Sequence, residues 1–171
     1  MRYAVLPTSL AALAVLAFAS PASALERQFR LGIDGLGATL STPSGTTYGF
    51  GGGAHLTYGV NDWLNVEAML AATHHPSGGH TIASATGAAF YTLDVIEWVP
   101  YFGVFAGGYQ FFGDVSNTSF GAGIALGLDY QFDPSFSAGV QLRLHEVFAP
   151  DPFGTTTYGT LGLRAEYVWG F

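Results

Sequence analysis

Apolar and polar residues alternate with a period of two along most of this chain, which is the signature of a half-buried β-strand. Eight stretches of about ten residues carry it, the length a tilted membrane-crossing strand needs. The first, Gln28–Gly37, sets Phe29, Leu31 and Ile33 against Gln28, Arg30, Gly32 and Asp34. Tyr48–Val60 follows, with Phe50, Leu56 and Tyr58 opposing Gly51, Gly53, His55 and Thr57, and then Leu64–Thr73, with Leu64, Val66 and Leu70 opposing Asn65, Glu67 and Thr73. Ala83–Asp94 is built largely of alanine, and its phase rests on Tyr91 and Leu93 against Thr92 and Asp94. Val99–Phe112 is apolar on both faces; placing Gln110 inside assigns Tyr101, Phe105, Tyr109 and Phe111 to the outside. Alternation returns in Ser119–Phe132, in Ser137–His145 and in the final stretch, where Leu161, Leu163, Tyr167, Trp169 and Phe171 oppose Thr160, Gly162, Arg164 and Glu166.

The charges give this pattern its direction. Arg30, Asp34, Glu67, Asp94, Asp129, Arg143, Arg164 and Glu166 all fall on the side opposite the large apolar residues. A lipid-facing Arg or Lys at mid-bilayer costs about 2–4 kcal/mol, so a barrel with lipid outside excludes charge from its apolar face. A soluble barrel shows the reverse. With few other charges (10% of residues, against about a quarter in soluble domains) the exterior must be poor in charge. No stretch after residue 24 is apolar enough to cross as a helix; Trp98–Gly113 comes nearest and carries Pro100 and several glycines. A closed sheet is then the spanning structure that pairs every backbone group. The expected fold is all-β, an eight-stranded antiparallel up-and-down transmembrane β-barrel.

The connections support the same reading. Asn61–Trp63, Asp94–Val99 and Asp133–Ser135 are short and rich in turn formers, whereas Ala38–Thr47, His74–Ile82, Phe112–Thr118 and Glu146–Thr156 read as longer loops. An even strand number puts both termini on the short-turn, periplasmic side. Two aromatic girdles are expected, with Trp63, Trp98, Tyr101, Tyr130, Tyr167 and Trp169 near that rim and Tyr48, Tyr109, Phe111, Phe120 and Phe148 near the other.

Ahead of the barrel, Arg2, the apolar stretch Leu10–Phe18 and the small-x-small site Ala22-Ser23-Ala24 read as a secretory signal. Residues 1–24 are assigned to it, with cleavage after Ala24, and residues 25–171 to a single barrel domain. Export and the outer membrane of a Gram-negative cell are the expected localisation. The formal charge of −7 with no lysine argues against nucleic acid as a partner, and the absence of cysteine excludes disulfides and thiolate metal sites.

The ending, Leu161 to Phe171, resembles the terminal strand of bacterial outer-membrane proteins, and Tyr91–Asp94 with Val99–Gly103 is similar to the central hairpin of small OmpA/OmpX-like barrel domains. The resemblance implies that Gly162, Tyr167, Trp169 and Phe171 form a C-terminal signal for the barrel-insertion machinery. It implies outer-membrane lipid and lipopolysaccharide as surroundings. No long loop suggests an adhesive role, and an outside partner is unspecified.

Eight strands leave room only for inward side chains. Arg30, Asp34, His55, Glu67, Asp129, Arg143, His145, Arg164 and Glu166 are therefore expected to form an internal ion and hydrogen-bond network, since buried charges need partners. The function expected is that of a structural or interaction protein with a filled lumen, not an enzyme, and with no cofactor. The alternatives are a narrow channel or a transporter of small apolar solutes, and then a lipid A-modifying enzyme built on Ser77, His75 and Glu146. His74, His75 and His80 offer imidazoles to a transition metal, but a glycine-rich loop gives them no fixed geometry. Gly51-Gly52-Gly53 lacks the Lys-Ser/Thr of a phosphate loop.

Overall fold

In the computed structural model the described residues are 27–43, 45–93, 97–113, 116–148 and 155–170. The signal segment, Asp94 and Phe171 lie outside them. Eight strands follow one another: β1 Phe29–Thr42, β2 Gly45–Gly59, β3 Leu64–His75, β4 His80–Thr92, β5 Trp98–Phe112, β6 Asn117–Asp133, β7 Phe136–Phe148 and β8 Thr155–Trp169. Each pairs antiparallel with its neighbour, and β8 returns to β1 through pairs such as Asp34 with Arg164, so the sheet is a closed barrel. Closure removes the unpaired edges that an open sheet would present. Among the described residues no helix is long and apolar enough to cross a membrane.

Turns at the end carrying residues 27 and 170 are held by short side chains. The Asn61 side-chain oxygen accepts from the amides of Trp63 at 3.1 Å and Leu64 at 2.8 Å, and Asp133 accepts from Ser135 at 2.7 Å. At the opposite end β3 and β4 meet over a single 3-10 turn, Pro76–Gly78, closed by Gly79 in the left-handed region at φ 62°. That conformation suits glycine.

Three expectations need correction. The strands run further toward the loop end than their alternation first suggests: β1 continues to Thr42 and β2 starts at Gly45, so most of Ala38–Thr47 is paired sheet. Its Thr, Ser and Gly content reads as loop, yet the in-out alternation persists, with Ala38 and Leu40 buried. The second correction is the phase of β5, which is inverted. Val99, Tyr101, Phe105 and Tyr109 point inward and are buried, while Phe102 and Val104 are exposed outside. Gln110 lies on the outward phase at the loop-side rim, where it donates to Ser116 at 2.9 Å and accepts from the Thr118 hydroxyl. Polarity near a rim does not report which way a strand faces, because both sides are wet there.

The girdles change accordingly. Tyr101 and Tyr109 belong to the interior, and Phe111 packs against the interior apolar cluster. The outer surface near the termini instead carries ring pairs Phe29–Trp169, Trp63–Tyr91, Tyr91–Phe102 and Trp98–Tyr130, with centroids 4.9–5.9 Å apart. Tyr48, Phe50, Phe112, Phe120 and Phe148 stand exposed toward the other rim. The third correction concerns charge: because β7 extends to Phe148, Glu146 projects outward one alternate position before that ring, with Thr157 Oγ1 3.4 Å away.

Candidate functional site

The interior is organised in layers because every second residue of every strand points into it. The charged residues come from the middle and termini-side halves of the strands, and β1, β2, β3, β6, β7 and β8 each supply at least one. All nine anticipated residues, Arg30, Asp34, His55, Glu67, Asp129, Arg143, His145, Arg164 and Glu166, are buried there.

Arg164 is the hub. Its Nη2 lies 2.9 Å from Glu67 Oε2 and 2.9 Å from Glu166 Oε1, and its Nη1 donates to the Tyr101 hydroxyl at 2.6 Å. Arg143 donates through Nη2 to the other oxygen of Glu67, through Nε to Gln141 at 2.6 Å and through Nη1 to Thr86 at 3.2 Å. Its guanidinium also lies over the Phe105 ring, 5.1 Å from the centroid. Glu67 thus bridges two guanidinium groups, an arrangement only the fixed fork of arginine supplies at this density.

His55 performs the same bridging among acids. Nδ1 is 2.6 Å from Asp34 and Nε2 is 2.8 Å from Glu166. Each ring nitrogen thus has one carboxylate as its hydrogen-bond partner, and the ring ties β1 to β8 through β2. Three arginines and His55 share this interior with the carboxyl groups of Asp34, Glu67, Asp129 and Glu166. Such pairing offsets the desolvation that makes unpaired buried ions costly.

Three anticipated members, Arg30, His145 and Asp129, stand apart from this web. Arg30 approaches Glu166 only at 4.0 Å. His145 faces no acid; its Nδ1 is 2.7 Å from the Tyr109 hydroxyl, and its ring packs on Phe105 and Tyr158. Asp129 lies beside Gly139, where any Cβ would meet its carboxylate.

Sequence reasoning missed Tyr101, whose hydroxyl accepts from both Arg164 and Gln141, and the aromatic shelf of Phe90, Tyr101 and Phe105. A signal for them exists. On β6 the inward positions Gly123 and Gly127 pair directly with Phe105 and Tyr101, and a Cβ at either glycine would collide with that ring. Glycines on the inward phase of one strand call for bulk on the next.

Above this layer, toward the loops, the interior turns apolar: Ala38, Leu40, Ile82, Tyr109, Val147 and Tyr158 pack together. His75 caps it, fully buried, with its ring stacked on His80 at 5.0 Å and its nitrogens 3.3 Å from Thr47 and 3.4 Å from Thr73. His74 projects the other way and meets Thr81 at 3.1 Å on the outside. The three loop-side histidines therefore do not converge, and no group of three metal-ligating side chains occurs among the described residues. Nor do Ser77, His75 and Glu146 assemble: His75 points inward from the β3 end, and Glu146 points outward from β7, four strands away. Of the C-terminal residues, Gly162 faces inward, while Tyr167 and Trp169 lie outside and stack with centroids 6.1 Å apart.

A closed up-and-down barrel with ions inside and large apolar side chains outside defines the class of barrels that cross a membrane with strands. The family model described as outer membrane protein beta-barrel domain matches residues 9–168, and the chain belongs to that family. Among solved structures it is similar to Neisserial surface protein A, at 20% identity and a TM-score of 0.73, covering 81% of this chain and 96% of that one. It is also similar to the attachment invasion locus protein Ail of Yersinia pestis, at 15% identity and a TM-score of 0.57 over 84% and 99% of the two chains. A third is OprG of Pseudomonas aeruginosa, at 12% identity and a TM-score of 0.58 over 85% and 97%. At these identities the likeness is one of fold. No curated protein matches the chain in sequence.

Proposed function

We propose that this chain is a closed outer-membrane scaffold, with its lumen filled by its own side chains and its short loop ends displayed to the cell exterior. The observation that carries this reading is the stacking of an ion web, an aromatic shelf and an apolar layer across one narrow interior. The spaces within the charged half are of about 10 Å³, room for roughly one water molecule each. Arg164 and Arg143 converge on Glu67 from different strands and draw opposite walls together, a structural task. On this reading the surroundings are outer-membrane lipid and lipopolysaccharide, and Gly162, Tyr167, Trp169 and Phe171 serve insertion by the barrel-assembly machinery. Planar-bilayer recording of the refolded protein tests it: no reproducible conductance steps are expected, and discrete steps overturn the closed-scaffold reading.

The second reading, passage or retention of small apolar solutes, is favoured by one feature of the outer wall. A groove of about 620 Å³ runs over β2–β6, lined by Gly52, Leu70, Ala72, Ala83, Ala85 and Gly108, with Gln110 and Thr118 at its upper end. An enzyme reading finds no assembled catalytic group among the described residues.

A further inference from the structure

His55 has a carboxylate at each ring nitrogen, but His75 and His80, at the loop-side end of the interior, have none among the described residues. The two form the last register pair of β3 and β4, across the turn Pro76–Gly78, and their rings stack with centroids 5.0 Å apart and planes 16° apart. His75 is fully buried, with the hydroxyls of Thr47 and Thr73 beside its nitrogens. His80 Nδ1 lies 2.9 Å from the Gly78 carbonyl oxygen. A carbonyl only accepts, so Nδ1 carries the hydrogen and Nε2 keeps its lone pair. That Nε2 is buried and meets no hydrogen-bond partner among the described residues.

Glycines make the room for this stack. A Cβ at Gly78 would strike the His80 ring, one at Gly49 would strike the His75 ring, and one at Gly113 would press on His80 Cβ at 3.2 Å. The groups facing the pair are neutral or basic. β2 brings Thr47 and Gly49, the end of β5 brings Gly113, and β8 brings Tyr158, whose ring lies 6.3 Å from that of His75. On β3 itself Thr73 points in and His74 points out. Below Tyr158 follow His145, Tyr109 and then Phe105 with the Arg143 guanidinium. A proton added at His80 Nε2 would make a buried donor without an acceptor, on a cation stacked against a second imidazole. Unpaired buried charge is costly, whereas the tip of a hairpin opens at low cost.

We propose that the stack of His75 on His80 is an acid-released latch: neutral rings hold the β3–β4 tip over the loop-side end of the lumen, and protonation of His80 frees it. The released His80 ring turns out to solvent and uncovers His75 with the Thr47 and Thr73 hydroxyls. The face displayed at this end therefore differs between neutral and acidic medium. The stacked form binds fewer protons than the released one, so a falling pH favours release. In the released tip the ring is an ordinary imidazole with a pKa of about 6.5, and the latched form is lost as the pH falls below that value. On the closed-scaffold reading the ion web and the aromatic shelf keep the lumen shut in either state. The latch rests on that reading only for which solution sets it, the external one, and it stands or falls separately from conductance.

Because the chain has no cysteine, Ser77→Cys accepts a single spin label on the exposed turn. Lipid nanodiscs leave both barrel ends open to the buffer, so orientation does not enter. Electron paramagnetic resonance should show the rotational mobility of this label rising several-fold between about pH 8 and about pH 5, the range that spans imidazole titration. A label at Ser135→Cys, in the turn at the opposite end, should not respond. His80→Gln in the Ser77→Cys chain abolishes the pH response, whereas His74→Gln, which changes the outward ring, leaves it intact; heat-dependent electrophoretic mobility confirms that each variant is folded. Unchanged mobility at Ser77 across that range overturns the proposal. So does an equal rise at Ser135, a response that survives His80→Gln, or one that disappears with His74→Gln.

Discussion

The wall formed by β4 and β5 and the wall formed by β6, β7, β8 and β1 solve the same problem in opposite ways. On β4 and β5 large side chains point inward, as Ile82, Phe90, Tyr101, Phe105 and Tyr109, and the outward positions Ala83, Ala85, Gly87, Ala89, Ala106 and Gly108 are small, while Tyr91, Phe102 and Val104 stand outside nearer the termini. On the other wall most bulk points outward, as Phe120, Ile124, Leu126, Leu142, Leu144, Leu161, Leu163 and Ile33, and the inward positions of its middle hold glycines and ions, with Leu40, Val147 and Tyr158 filling only the loop side. A narrow barrel admits a fixed interior volume. Rings contributed by one wall therefore require space left by the other, and the direct pairing of Phe105 with Gly123 and Tyr101 with Gly127 shows that exchange. In a membrane the exterior tolerates either size, because lipid packs against small and large apolar side chains alike.

The largest effect that would break this comparison is expected on the inward side of β5. Phe105→Ala removes a buried ring that also supports the Arg143 guanidinium, and should destabilise the folded barrel by about 3–5 kcal/mol. Ile124→Ala, which trims a lipid-facing side chain of β6, should cost far less. Urea unfolding in lipid vesicles measures both, and equal losses would mean that the inward and outward positions of the two walls are not energetically distinct.

An intermediate effect is expected from adding volume where the walls exchange it. Gly127→Leu drives a side chain into the Tyr101 ring and should cost about 1–3 kcal/mol, recovered in part by Tyr101→Ala in the same chain. Failure of the double variant to recover would show that the glycine serves the backbone rather than the ring. The smallest effect is expected from Ala85→Leu on the outside of β4, within about 0.5 kcal/mol. A larger loss there, read from the same unfolding curves, would mean that the smooth wall is fitted to something other than lipid.

Much of this was legible in the alternation itself. Phe29, Leu31 and Ile33 outside with Arg30 and Asp34 inside follow from spacing alone, as do His55, Glu67, Asp129, Arg143, Arg164 and Glu166, because a charge in a thin apolar shell has one tolerable direction. β5 was not legible in that way. Its residues are apolar on both faces, so the period of two is present without a sign, and Gln110 supplied a misleading one from the rim. The inward glycines of β6 carried the missing sign, but using it requires knowing which residue of β5 lies beside which residue of β6.

By itself, then, the order of residues determined the number of strands, the direction of the charged side chains and the exclusion of charge from most of the exterior. Each of these is a local consequence of a two-residue period meeting a solvent that rejects ions. Only the closed sheet decided which carboxylate met which cation, that His55 joined Asp34 to Glu166 while His145 went to Tyr109, and that Tyr101 entered the interior. Those outcomes depend on strand register and on a shared interior volume, quantities that belong to pairs of strands and to the barrel as a whole.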